Sequence, residues 1–270
     1  MSGLITDEQR KINRMAVETI LYEQPINELV RVCLRLELLF EQIEHGIKGS
    51  SIWDSRKTVS SILDVLYLLD RPDLKTKLTK ELARFIANFN KMADNPSIDP
   101  KKLRPILAQL DSVHERLHLT QGKLAQELRQ NELLNSIRQY SLNPGGGCSF
   151  EVPAYHYWLH RPSEERIADL HEWVKKFDTL KEAIILFMRL VRDCGHFQEQ
   201  TANQGFYQSA LDPQAPCQLV QVILPAHAAV FPEISVGRHG IFIRFMSAEG
   251  FSKPVQTREN IAFKMTCCIL

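Results

Sequence analysis

The chain has 270 residues, 44% of them hydrophobic, with 33 basic and 32 acidic side chains. That length and apolar content suit one large or two ordinary globular domains and exclude a disordered polypeptide. The near-cancelling charge excludes a global attraction to nucleic acid or to an anionic membrane, so any electrostatic function must be local.

Residues 1–15, MSGLITDEQRKINRM, are polar and read as a flexible extension without the apolar core of a signal peptide, so a cytoplasmic location is expected. Met15 is a candidate translation start. No apolar run approaches the roughly 20 residues that span a bilayer. Thr19-Ile20-Leu21-Tyr22 is β-type, ends at Gln24-Pro25, and is expected to pair with later strands, so residues 16–25 are assigned to the β domain.

Apolar residues then recur at Ile26, Leu29, Val30, Cys33, Leu36, Phe40 and Ile43, the spacing of one helical face. Ser51 with Asp54 resembles an N-terminal cap for a second helix through Leu69, and Leu74 to Phe89 forms a third. Asp99-Pro100 starts a fourth, and Leu124 to Tyr140 a fifth. Five helices with short links predict an antiparallel bundle over residues 26–142. The turn Asn143-Pro144-Gly145-Gly146-Gly147 stops the last helix; no Gly-Lys-Ser/Thr follows, so it is not a phosphate loop.

Beyond the turn a β-strand domain is expected over residues 143–270. The alternation of Phe150, Val152, Tyr155, Tyr157 and Leu159 predicts a strand over 148–160. Pro162-Ser163-Glu164-Glu165 starts a helix near 163–177, and Thr179 with Glu182 reads as a capping box for another near 179–195. Further strands are predicted at 200–208, 217–224, 240–246 and 261–268, making one mainly antiparallel sheet closed by the two ends of the chain. The expected class is therefore α+β.

Three constellations invite chemistry. His114-Glu115-Arg116-Leu117-His118 matches HExxH, whose histidines one turn apart could hold zinc; a third ligand would have to come from Glu127 or Glu132. A zinc-dependent hydrolase is the alternative this segment keeps open. His156 and His160, on a strand, would stand about 13 Å apart, too far for one metal. Cys267-Cys268-Ile269-Leu270 has the form of a prenylation box, but the residues before it alternate like a strand, which places the cysteines in the sheet. The six cysteines, at 33, 148, 194, 217, 267 and 268, lack a disulfide framework and fit reduced thiols. Locally, Arg238, Arg244, Lys253, Arg258 and Lys264 face only Glu249 and Glu259 in the last 35 residues. Such a basic surface suits an acidic peptide or, as a further alternative, a nucleic-acid backbone.

The strings PGGGCSFEVPAYHYWLH, QTANQGFYQ, FPEIS and IRFM, in this order, and the opening ILYEQPINELVRVCLRLELL resemble the ZapD family of bacterial cell division, from about residue 19 to Cys268. The chain differs in its leading residues and in Ile269-Leu270. The resemblance implies a helical domain plus a β domain, a homodimer, no enzymatic activity and no cofactor. It also implies binding to the C-terminal tail of FtsZ, a tubulin-like GTPase, and cross-linking of its filaments at the midcell Z-ring, without nucleic acid and without membrane insertion. By position, the family's tail-binding arginines correspond to Arg71 (in LLDRPDL) and Arg244 (in IRFM), with Arg238 near a basic position. Gly240 stands where the family can have an arginine.

Overall fold

The computed structural model describes residues 19–71, 73–93, 100–120, 122–212, 217–237, 240–247 and 253–269. Among these, nine helices and eight strands make an α+β protein with a helical N-terminal part and antiparallel strands in the C-terminal part. Contacts divide the chain into two compact units. One holds residues up to Arg31 together with Arg189–Leu270, and the other is Val32–Met188.

The helical unit contains most of α1 (Glu28–Ile47), then α2 (Ile52–Leu68), α3 (Leu74–Ala93), α4 (Pro100–Leu119), α5 (Gln126–Arg129), α6 (Glu132–Tyr140), α7 (Pro153–Leu159), α8 (Ser163–Lys175) and the larger part of α9 (Asp178–Asp193). The three-and-four spacing buries Leu36, Phe40 and Ile43 on α1 and Leu78, Leu82 and Phe85 on α3. Phe40 meets Phe177 at 6.1 Å, and Phe85 meets Phe187 at 6.0 Å. The Ser51 cap forms as expected: its hydroxyl accepts from Asp54 N at 3.1 Å, and the Asp54 carboxylate accepts from Ser51 N at 3.1 Å. Next to it the Arg166 guanidinium, on a residue only 4% exposed, donates to Ser55 Oγ at 2.7 Å and to the Ser50 and Ser51 carbonyls. These bonds fasten α8 to the start of α2.

Two local expectations are corrected here. The strand expected over 148–160 is a turn followed by α7. Apolar residues in a short aromatic run fit both periods, and the decision comes from Pro153 at the first helical turn, with Tyr155, Trp158 and Leu159 buried on one helical face. Consequently the His156 and His160 rings lie 4.3 Å apart. Thr179 does not cap α9, which begins one residue earlier at Asp178. Asp99, by contrast, lies outside the described residues, as do Met15 and Leu270.

The strand unit is a pair of packed sheets. The first has the order β1–β4–β8–β2, from β1 (Thr19–Pro25), β4 (Cys217–Pro225), β8 (Ile261–Ile269) and β2 (Gln198–Ala202). The second has the order β3–β6–β5, from β3 (Phe206–Ala210), β6 (Gly240–Ser247) and β5 (Phe231–Gly237), with the short β7 (Val255–Gln256) also on β6. All pairings are antiparallel. Between the sheets Val220, Val222 and Leu224 pack with Ile241, Ile243, Phe245 and Phe263, and Phe245 lies 4.9 Å from Phe263.

The single sheet expected from sequence is thus two, and the strand expected over 200–208 is split between them. Gln204 and Gly205 both have positive φ, 50° and 69°, which makes a tight two-residue turn between β2 and β3. β5 was not expected, because Pro232 and Glu233 interrupt its β-type pattern.

On the other face of the first sheet, Arg192 donates from Nε to Glu23 Oε1 and from a terminal nitrogen to Oε2, both at 2.9 Å, and Gln221 donates to Oε1 at 2.8 Å. Burial opposes the charge on Glu23, but the bonds and attraction from Arg192, with the Gln221 bond, hold its carboxyl below the usual range. A carboxyl depressed in the folded state stabilises above its unfolded pKa and loses that contribution as pH falls through the folded value. Glu23→Gln is therefore expected to be less stable than the parent at pH 7, with a gap that narrows below about pH 4.3. Denaturant midpoints at pH 7 and pH 3.5 check this, and a gap independent of pH would remove Glu23 as its source.

Candidate partner-binding surfaces

Alternation along β6 separates two roles. Ile241, Ile243 and Phe245 point into the core, while Phe242, Arg244 and Met246 occupy the opposite face. Register then fixes the neighbours of Arg244: Phe206 of β3 on one side and Glu233 of β5 on the other. Phe242 sits between Gln208 and Ser235, and Met246 is paired with Phe231. Phe206 is 38% exposed, and Phe231, Phe242 and Met246 are half-buried. Arg244 is exposed, and among the described residues no carboxylate lies within ion-pair distance of it. The outcome is a cationic fork set in an apolar, aromatic surface, with the Glu233 carboxylate one strand away.

Gly240, at the start of the same strand, pairs with Ala210. A Cβ there would come within 2.6 Å of the Ser209 carbonyl oxygen, so the backbones of β3 and β6 approach too closely for any side chain. The arginine that the family resemblance allows at this position does not fit this packing.

Arg71 belongs to the helical unit and lies just past the end of α2. It lines an open cleft of about 290 Å³ with Leu69, Asp70, Lys75, Lys123 and Leu124 among its walls. The acidic member of that wall is already engaged: Asp70 accepts from both Arg129 and Arg138. Burial works against its charge, but the hydrogen bonds from the two arginines outweigh that and hold the carboxyl below its usual range. Lys75 donates to the Thr120 carbonyl, which keeps its amine at the cleft. The cleft is therefore cationic, through Arg71, Lys75 and Lys123. Lys75 and Lys123 were not singled out from sequence, since 48 positions of chain separate them and only the fold joins them.

Arg71 and Arg244 thus stand in different units, and Arg238 lies outside the described residues. The HERLH segment is on α4 as expected, with the His114 and His118 rings stacked 6.1 Å apart. Its Arg116 pairs with Glu182, and among the described residues no group of three potential ligands could hold a metal. Cys267 and Cys268 lie within β8.

A family model described as ZapD, cell division protein, matches residues 34–244. Curated relatives named cell division protein ZapD cover nearly the whole chain. One from Coxiella burnetii is 40% identical over 256 residues, 94% of this chain and 99% of the relative. Another from Methylococcus capsulatus is 38% identical over 251 residues, 93% of this chain and 98% of the relative. A third, from Aromatoleum aromaticum, is 35% identical over 255 residues, 94% and 99% of the two chains.

The close approach at Gly240 has a measurable consequence. Gly240→Ala is expected to destabilise the strand unit by about 1–3 kcal/mol through forced displacement of β3 from β6. Thermal denaturation checks it; an unchanged melting temperature would show that the strands separate there without cost.

Proposed function

The chain belongs to the ZapD family of cell division proteins, and on that premise we propose that it works without catalysis, as an adaptor that binds the C-terminal tail of FtsZ and cross-links FtsZ filaments. The observation that carries this reading is the exposed Arg244, flanked in register by Phe206 and set beside Phe242 and Met246. A guanidinium offers a planar fork to a carboxylate, and neighbouring rings offer apolar contact to the side chains between acidic groups. A short peptide carrying both kinds of group fits such a surface, whereas a polynucleotide calls for a longer basic track.

The cationic cleft at Arg71 supplies a second place for acidic groups of the tail. A contact of this size is weak and sensitive to salt on its own. The protein acts as a homodimer in this reading, so that each particle presents two sets of sites. Filaments display many tails, and engaging two filaments at once turns weak contacts into avidity. The result is bundling that promotes assembly and stability of the Z-ring at midcell, by a protein that acts from the cytoplasm. No helix among the described residues is long and apolar enough to cross a membrane, which accords with recruitment by a partner.

Co-sedimentation with GTP-assembled FtsZ, full-length beside a form lacking its C-terminal tail, is the direct test. Bundling is expected only with the tail present, and to fade as salt rises. Arg244→Glu should weaken binding of the isolated tail peptide at least about tenfold, ~1.4 kcal/mol, with the circular dichroism spectrum and the dimer mass unchanged. Equal affinity in parent and variant would remove Arg244 from the site, and a monomeric variant that still bundles would overturn the two-site mechanism.

A further inference from the structure

On a strand, His156 and His160 would stand about 13 Å apart, out of reach of a common metal ion. The helix changes that. His156 lies on α7 and His160 caps its end, which brings the two ring centroids to 4.3 Å with their planes inclined at 44°. Both residues are exposed on the helical unit, so an ion from solvent can reach them. Two imidazoles bound at a right angle to one ion, each through a metal–nitrogen bond of about 2.0–2.1 Å, have centroids about 4.5 Å apart. The spacing of His156 and His160 is close to that value. His114 and His118 of α4 are also one turn apart, but their nearly parallel rings stand 6.1 Å from each other, wider than such a pair allows.

A hydrogen bond prepares one of the rings. His160 Nδ1 lies 2.8 Å from the His156 carbonyl oxygen. A carbonyl can only accept, so Nδ1 carries the proton and, in the neutral ring, Nε2 keeps its lone pair. Metal-binding histidines are held in this way: the second ring nitrogen donates to a carbonyl or carboxylate, which fixes both tautomer and ring orientation. Here the carbonyl belongs to the other histidine, so the same bond ties the two ligand positions together. The surrounding charge does not oppose a cation. Arg161, the next residue, is paired with both Glu165 and Asp169, and the last turn of a helix is its negative end.

We propose that His156 and His160 form a surface site for a divalent transition cation of the nickel(II) or copper(II) type, with two imidazole ligands and water in the remaining positions. Two nitrogens at a right angle are part of a square-planar or tetragonal set, the geometry of those two ions. Neutral imidazoles offer little to magnesium or manganese, which take oxygen ligands. Among the described residues no third side chain completes a ligand group. Water therefore fills the coordination shell, and the ion exchanges with solvent.

Nickel(II) chloride is the probe, because it does not oxidise thiols, and the full chain is used without a polyhistidine tag. Calorimetric titration is expected to show nickel(II) binding, with none for manganese(II) at the same concentrations. Loss of an outer-shell partner alone costs about 10–100-fold in metal affinity, so loss of a ligand in His156→Ala should weaken nickel(II) binding at least about tenfold. His114→Ala should leave the titration unchanged. Equal affinity in the parent and His156→Ala, or a loss caused instead by His114→Ala or by Cys148→Ser, would overturn the site. The parent supplies a second measurement that needs no variant to fold: nickel(II) should protect His156 and His160 from diethyl pyrocarbonate, mapped by mass spectrometry. Protection confined to other histidines would overturn the proposal as well.

Discussion

The strand unit depends on β4 being buried on both faces and satisfied on both edges. Val220, Val222 and Leu224 fill the space between the sheets, while Leu219 and Gln221 lie on the other side. Its backbone groups are paired with β1 along one edge and with β8 along the other. Such a strand cannot exist without both partners, because each unpaired buried amide or carbonyl costs about as much as a lost hydrogen bond. One partner, β1, comes from far away in sequence: Glu23 and Gln221 are 198 positions apart. The entropy of joining distant segments rises only with the logarithm of the loop, and here the intervening residues fold into a unit of their own. The Glu23–Arg192–Gln221 bonds then fix the register at which β1 joins.

The same alternation that makes a core also makes a surface. In β6 the inward Ile241, Ile243 and Phe245 are locked by packing against Phe263 and its neighbours, so the outward Phe242, Arg244 and Met246 are held by a rigid strand. A guanidinium on a strand loses less freedom on binding than one on a loop, and preorganisation of this kind improves affinity without any added contact. The surface is thus a by-product of core formation, and substitutions inside the sandwich would be felt outside it.

Much of this was legible in the sequence. The helical periodicities of α1 to α4 and the Ser51 box were plain, because long amphipathic patterns and a specific cap leave little ambiguity. β4, β6 and β8 were visible as runs of branched and aromatic residues. What could not be read depended on partners. The aromatic run after the glycine turn satisfied two periodicities until Pro153 and the buried face of Tyr155, Trp158 and Leu159 chose helix. The division into two sheets rested on a turn at Gln204 and Gly205, which lacks the usual Asn-Gly or Asp-Gly pair. The strings IRFM and LLDRPDL marked Arg244 and Arg71, but not the ring beside one or the lysines around the other. Those neighbours follow from register and loop placement, which no local pattern encodes.

Gly240 bears on how such a surface would recognise a peptide in the proposed function. With the Ser209 carbonyl occupying the space that a side chain would need, Gly240 adds no side chain to this face, and among the described residues of β6 the charge is that of Arg244. Glu233, one strand away, offsets part of that charge. In the proposed reading, a peptide on this face takes its apolar contact from Phe206, Phe242 and Met246, and the guanidinium favours acidic peptides over neutral ones. Apolar burial is insensitive to moderate salt, while an exposed ion pair is screened within about 8–10 Å at physiological ionic strength. In the proposed reading the face holds a peptide through its aromatic floor and discriminates through one charge, and the Arg71 cleft, lined by three cations, would make a separate and more salt-dependent contact.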